Sequence, residues 1–144
     1  MRQVCLVIAC NSPTLTISSD VLPWQCHVRY PQISENALFV DIDYPDLMRK
    51  KRAIVLQTPQ LRDLLGADVT INENDKDPVL LKSSKYCQLA CDLRELDTLR
   101  RTLDSIQLLE DAEVLFVAEV SITYMDTPSA DALIGWASCI GKGK

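Results

Sequence analysis

The chain has 144 residues, of which 47% are hydrophobic and 24% charged, and its formal net charge is −5. This length suits one small domain, and the acidic balance excludes the broad basic surface of a general nucleic-acid-binding protein. No apolar run approaches the roughly 20 residues that span a bilayer, so we expect no membrane segment. The chain has only four glycines, and no phosphate-binding P-loop is present.

The six cysteines include no C-x-x-C pair, and His27 is the single histidine. Zinc sites need about four ligands, usually in close pairs, so we predict no metal site. The apolar stretch at residues 4–9 is shorter than the core of a secretory signal, which indicates a buried strand instead. We therefore expect reduced thiols that act as small core hydrophobes in a cytoplasmic protein.

Apolar runs and capping residues predict strands that alternate with helices along the chain. Strands are expected at residues 4–9, 37–42, 79–81, 86–91 and 114–118. Helices are expected between Pro23 and Pro31, from Tyr44, at 58–66, at 96–106 and from Thr127 to about 138. Residues 67–78 are predicted to be a polar connector. This alternation indicates an α/β fold with a partial parallel sheet of about four strands, flanked by helices.

The helix predicted from Tyr44 has an apolar stripe and a basic run. Leu47, Lys51, Ile54 and Val55 fall on one stripe at helical spacing, and the aliphatic stem of Lys51 is expected at the edge of this stripe. The basic run at residues 49–52, RKKR, is interpreted as a solvated helix face. The alternative is a local contact with the phosphates of an RNA substrate.

Acidic residues follow three of the predicted strands. Asp41 and Asp43 end the second, Asp92 follows the third and Glu119 follows the fourth. Because the carboxyl ends of parallel strands share one edge, these acids could meet a nucleotide ribose, an adenine amine and an ammonium group. The alternative is that each acid only caps a turn or a helix.

Three blocks of the sequence resemble the leucine carboxyl methyltransferase superfamily in the order expected. They are FVDIDYPDLMRKKRAIVLQTPQLRDLL, YCQLACDLRELDTL and LFVAEVSITYMDTPSADALIGWAS. The form DYPDLMRKKR…TPQLRDLL, with LPWQCHVRYP before it, is most similar to the fungal wybutosine-synthesizing members of that superfamily. The similarity covers roughly residues 20–138.

The resemblance implies a class I Rossmann-like methyltransferase fold with S-adenosylmethionine as methyl donor. It places Asp43, the Asp92–Leu93 pair and Glu119 at the cofactor, and it leaves the catalytic residues unknown. The implied enzyme is a carboxyl methyltransferase that modifies phenylalanine tRNA during wybutosine synthesis. The alternative within the superfamily is methylation of the C-terminal leucine of a type 2A protein phosphatase.

The sequence departs from the superfamily in its amino-terminal part. Thr16 and Ser18 stand where glycines of the first loop are expected, and their Cβ atoms would intrude on a closely bound ligand. Residues 1–13 match no block of the superfamily, and residues 139–144 are predicted to be a tail. We therefore expect a partial methyltransferase domain over residues 1–144 with impaired activity. The alternative is a non-catalytic remnant or interaction module.

Overall fold

The structure is a computed structural model that describes residues 2–8, 37–74, 76–107, 112–118 and 121–140. For residues 2–8, 37, 112, 113 and 121 only the backbone is described. Several sequence predictions concern positions outside the described residues, namely the helix between Pro23 and Pro31, Thr16, Ser18, His27 and Glu119.

The elements follow one another in the alternating order that the sequence predicts. In chain order they are β1 (Arg2–Ile8), β2 (Ala37–Asp43), α1 (Pro45–Gln57), α2 (Pro59–Leu64), β3 (Thr70–Ile71), β4 (Val79–Lys82), β5 (Tyr86–Ala90), α3 (Leu96–Ser105), β6 (Ala112–Ala118), a 3-10 turn (Ser121–Tyr124) and α4 (Thr127–Cys139).

The strands form one sheet in the order β3-β4-β5-β2-β1-β6. Strands β5, β2, β1 and β6 are parallel, which confirms the predicted α/β class and the parallel sheet of about four strands. Strands β4 and β3 add an antiparallel hairpin beside β5. The chain runs from β1 to β2 on one side and later to β6 on the other, so the strand order reverses at β1. In such sheets the crevice at the carboxyl ends beside the reversal is the usual ligand position.

Alternate residues of β2 face two separate apolar clusters. Leu38, Val40 and Ile42 pack with residues of α3 and α4, including Leu99 and Leu133. Phe39 packs on the opposite face with Val55 of α1 and with Leu65 after α2. This alternation follows from the period-2 geometry of a strand. Asp41 and Asp43 therefore share the α1 face with Phe39.

The buried face of α1 differs from the predicted stripe. Its buried residues are Met48, Lys51 and Val55, whereas Ile54 is 42% exposed and Leu47 is only half-buried. Met48 replaces Leu47 and Ile54 because the helix packs with residues at i, i+3 and i+7 toward the sheet. Lys51, expected at the edge of the stripe, lies within it.

Two helix boundaries show how far the capping residues predict the structure. Helix α2 begins at Pro59 after Thr58, and Gly66 beyond its end has φ +90, as the sequence predicts. Helix α4 begins one residue earlier than predicted because Asp126, not Thr127, is its N-cap; the Asp126 side chain accepts a hydrogen bond from Ser129 N–H at 3.2 Å. The predicted connector at residues 67–78 also contains β3, which pairs with β4.

Two cysteines predicted to be core hydrophobes are buried free thiols. Cys87 and Cys91 belong to the cluster on the α3 and α4 face of the sheet, which confirms the prediction for these two residues. Within the described part of the chain, none of the helices has the length and hydrophobicity needed to cross a bilayer.

Candidate functional site

The predicted acids of the second and third parallel strands meet at one edge of the sheet. Asp43 is the last residue of β2, and Asp92 lies two residues beyond the end of β5. The two strands are parallel, and Cys91 N–H donates to Asp43 O at 3.0 Å just where they end. Glu119 follows β6 in the sequence but lies outside the described residues.

The Asp43 carboxylate is buried, and one of its oxygens lacks a hydrogen bond. Only 1% of Asp43 is exposed, and its Oδ1 accepts the Tyr44 N–H at 2.8 Å. Its Oδ2 has no hydrogen-bond partner in the described part of the structure. Burial raises the pKa of Asp43 to about 6, against the lowering effects of the Tyr44 N–H and of Lys51. Asp43 thus ends β2 with a desolvated oxygen that accepts no hydrogen bond from the described residues.

The second acid of β2 is fully paired with residues from α1 and β5. Asp41 is 0% exposed, and its oxygens lie 3.2 and 3.3 Å from Lys51 Nζ. The Tyr86 hydroxyl donates to Asp41 Oδ2 at 3.2 Å, and Gln88 Nε2 donates to the Tyr86 oxygen at 3.0 Å. Burial and the neighbouring Asp41 charge raise the pKa of Tyr86 well above its usual value, so the phenol stays protonated and donates.

This polar network was only partly found from the sequence. The two aspartates were predicted as strand-end acids, but Lys51, Tyr86 and Gln88 were not assigned to the site. One signal was present: FVDID and YCQLA each place polar residues at alternate positions of an apolar strand, which puts them on one face.

The basic run at residues 49–52 was predicted to be a solvated helix face, and this is wrong for Lys51. Its side chain is 10% exposed, because its helix position points toward the two aspartates of β2. Arg49 pairs with exposed Asp46 at 3.1 Å, and Arg52 donates to the carbonyl of Asn72. Lys50 is exposed, so the four basic residues have different surroundings.

Asp92 is held by Arg94, two residues further on. Both Asp92 oxygens accept from the Arg94 guanidinium, with Nε at 2.9 and 3.1 Å, and Oδ1 also accepts Arg94 N–H at 3.0 Å. These hydrogen bonds lower the pKa of Asp92. The Arg94 Cζ lies 5.7 Å from the centre of the Tyr44 ring, so this pair reaches the end of β2. Leu93 between them is buried in the core.

The described side chains give no other obvious chemical centre. No group of three or more His, Cys, Asp or Glu residues within this part of the chain is placed to hold a metal ion. The arrangement at the sheet edge offers hydrogen-bond acceptors, which suit hydroxyl and amine groups of an organic ligand. Carboxylates at these strand ends are the usual acceptors for nucleoside hydroxyls in open α/β sheets.

Comparisons of this chain with protein-family models and with known proteins point to the same family. The leucine carboxyl methyltransferase family matches residues 25–138. The chain is 62% identical over 130 residues to tRNA wybutosine-synthesizing protein 4 of Gibberella zeae, covering 90% of this chain and 13% of that protein. It is 33% identical to the protein of the same name from Neurospora crassa, covering 99% of this chain and 17% of the relative.

A relative with a different name is more distant. The leucine carboxyl methyltransferase 1 homolog of Arabidopsis thaliana is 33% identical over 101 residues, covering 70% of this chain and 30% of the relative. The chain thus spans less than a third of each of these three relatives. The family match covers most of the chain and includes β2, β5 and β6 with their acids. The chain therefore belongs to the leucine carboxyl methyltransferase family, and it has the Rossmann-like methyltransferase fold of that family.

Proposed function

We propose that this chain is a partial S-adenosylmethionine-dependent carboxyl methyltransferase domain of an enzyme that modifies phenylalanine tRNA in wybutosine synthesis. The higher identity to the Gibberella zeae protein than to the Arabidopsis thaliana relative favours this substrate over a protein carboxylate. The observation that carries the proposal is the buried Asp43 carboxylate at the carboxyl end of β2, whose Oδ2 receives no hydrogen bond from any residue that the structure describes.

The residues at the sheet edge fit the cofactor at one position and restrict it at another. Asp43 Oδ2 is an acceptor that a ribose hydroxyl would satisfy. A carboxylate has about four lone-pair sites, and three N–H groups of Arg94 already donate to Asp92. An adenine amine would therefore compete with Arg94 for the Asp92 oxygens. Leu93 would lie beside the adenine, and Glu119 would meet the ammonium group.

The reaction asks little acid–base chemistry of the protein. The bound cofactor supplies a methyl group on a positively charged sulfur, and the substrate carboxylate is already ionised near pH 7. The protein's contribution is to hold the two reactants close and in line. We assign no general base, and the residues of this chain act by binding and orienting.

The cofactor site is tested by titrating the folded chain with S-adenosylhomocysteine in a calorimeter. We expect Asp43→Asn to weaken binding by about tenfold, since it removes a charged acceptor. Asp46→Asn is the matched control, because this acid is three residues away and its side chain is 94% exposed. Absence of binding at millimolar ligand, or an equal loss in both variants, would refute the assignment.

The substrate is tested by offering hypomodified phenylalanine tRNA and the catalytic subunit of a type 2A phosphatase to the same protein. Methyl transfer to the tRNA supports the proposal, whereas transfer only to the phosphatase supports the alternative substrate within the superfamily. A folded chain that binds neither cofactor nor substrate would indicate a non-catalytic remnant or interaction module.

We further assign this chain to the cytoplasm. The structure describes the side chains of three cysteines, and all three are free thiols: Cys87, Cys91 and Cys139. Proteins of reducing compartments keep their cysteines in this form.

A further inference from the structure

Among the side chains that the structure describes, the α1 face of the sheet contains more negative than positive buried charge. Asp41 and Asp43 are 0% and 1% exposed, and Lys51, the cation placed between them, is 8% exposed. A buried charge is costly unless a partner compensates it, so one ammonium has to serve two carboxylates. The distance from the Lys51 ammonium to each carboxylate therefore influences whether that carboxylate is ionised.

Lys51 is anchored to one aspartate and acts on the other from a longer distance. Its Nζ lies 3.2 and 3.3 Å from the two oxygens of Asp41, but 3.9 Å from Oδ2 of Asp43. Asp41 also accepts from Tyr86, which holds that carboxylate in place. Asp43 therefore receives the field of the ammonium without a hydrogen bond from it.

The charge on Asp43 determines whether its free oxygen accepts a hydrogen bond. Since Oδ1 accepts the Tyr44 N–H, a proton taken up by this carboxyl group goes to Oδ2. Oδ2 then becomes a donor and a much weaker acceptor for a ligand hydroxyl. A ligand that donates to Asp43 thus binds the ionised form more tightly.

We propose that Lys51 is a positioning residue for the ligand site: anchored by Asp41, it keeps the Asp43 carboxylate ionised, so that Oδ2 remains an acceptor. The identity of the ligand rests on the function proposed above. The action of Lys51 on Asp43 is a property of the free protein and can be measured without a ligand.

The described charged and polar groups around Asp43 come from α1, from its own strand and from β5. Lys51 from α1 lowers the pKa of Asp43, and Asp41 from the same strand raises it by a smaller amount. From β5, Tyr86 and Gln88 reach this cluster through Asp41. Arg94, from the loop after β5, lies over the Tyr44 ring and pairs with Asp92. Removal of Lys51 therefore shifts the titration of Asp43 to higher pH.

The first experiment follows the Asp43 side-chain carboxyl carbon by NMR while the ligand-free chain is titrated. We expect a midpoint near 6 in the wild type and a rise of about one pH unit or more in Lys51→Met. Lys51→Arg, which retains the charge, should stay near the wild-type midpoint. Lys50→Met is the matched control, because Lys50 is adjacent and exposed, and it should leave the midpoint unchanged.

A second variant covers the case in which Lys51→Met does not fold. Lys51→Gln also removes the charge but keeps a polar side chain that can donate to Asp41, and Asp43 should again titrate above the wild type. An unchanged midpoint in a folded Lys51→Met or Lys51→Gln variant would overturn the proposal. So would a wild-type midpoint near the ordinary value of 3.8.

The second experiment measures S-adenosylhomocysteine affinity by calorimetry from pH 5 to 8. We expect wild-type affinity to rise through the Asp43 midpoint. A midpoint shift of about one unit should make Lys51→Met bind about threefold more weakly at pH 6.5 and nearly tenfold more weakly at pH 5. If the wild type does not bind, the proposed function fails while the NMR titration still decides the role of Lys51. Binding by Lys51→Met with the wild-type affinity and pH profile would overturn the positioning role.

Discussion

The Tyr86 hydroxyl lies 3.2 Å from Asp41 Oδ2, and this hydrogen bond runs diagonally between two parallel strands. The sheet register places Tyr86 beside Phe39 and Asp41 beside Gln88, so the phenol reaches two residues further along the neighbouring strand. This contact ties the apolar cluster under α1 to the polar network at the carboxyl end of β2. It makes Tyr86 part of both, because its ring packs with Phe39 and Val55 while its hydroxyl is polar.

Replacing Tyr86 with Phe should lower the free energy of unfolding by about 1–3 kcal/mol, because buried Asp41 and Gln88 each lose a partner. Tyr124→Phe is the control, since Tyr124 is 62% exposed, and its effect should stay within about 0.5 kcal/mol. Urea unfolding measures both variants. Equal stability of the Tyr86→Phe variant and the wild type would contradict the importance of the network.

The raised pKa of Asp43 predicts how stability changes with pH. The folded protein binds this proton more tightly than the unfolded chain, with a pKa of about 6 against an ordinary 3.8. The resulting stabilisation is complete below about pH 4 and is lost as the pH rises through about 6. The difference of about two units corresponds to about 3 kcal/mol.

Asp43→Asn removes this titrating group and isolates its effect. Relative to the wild type, the variant should gain about 3 kcal/mol of unfolding free energy between pH 4 and 7, measured by urea unfolding at each pH. Asp46→Asn should follow the wild-type profile, because Asp46 is exposed on α1. A constant difference between Asp43→Asn and the wild type over this range would show that Asp43 has an ordinary pKa.

Replacement by alanine should lower the stability of the protein at Gly66 and raise it at Gly135. Gly66 has φ +90, and a Cβ there would lie 3.0 Å from Asp68 Oδ1, whose other oxygen accepts Ser84 N–H at 2.7 Å. Gly66→Ala should therefore cost about 1–2 kcal/mol or more. Gly135 lies inside α4, where a Cβ would meet no described neighbour within 4 Å, so Gly135→Ala should gain about 0.5–1 kcal/mol. Thermal unfolding compares the two variants, and a change of the same sign in both would contradict this expectation.

Cysteine reactivity should follow burial. Burial raises the pKa of Cys87 to about 12 and that of Cys91 to about 11, whereas Cys139 is exposed at the end of α4. Brief treatment of the native chain with iodoacetamide at pH 7.5 should modify Cys139 and spare the other two, because the thiolate is the reacting form. Peptide mass mapping before and after denaturation checks this. Rapid native modification of Cys87 would contradict its burial.

Local sequence signals predicted most elements, because strands and helices each bury apolar residues at a fixed period. The runs at residues 37–42 and 86–91 gave β2 and β5, and Pro45, Thr58 and Gly66 marked helix boundaries. The short strand β3 was missed because both its residues are exposed and only pairing with β4 defines it. The N-cap of α4 is Asp126 and not the predicted Thr127, because the Asp126 side chain accepts a hydrogen bond from the Ser129 amide.

The sequence by itself determined the α/β class, the order of the elements and the acids that follow the strands, since these depend on periodicity and residue type. Only the tertiary structure decided what surrounds each acid. The sequence placed Lys51 both in a solvated basic run and at the edge of the apolar stripe, and its burial against Asp41 and Asp43 depends on how α1 rotates onto the sheet. Likewise, Arg94 donates to Asp92, whereas no described residue donates to Asp43 Oδ2, because hydrogen-bond partners and desolvation are set by how the chain packs.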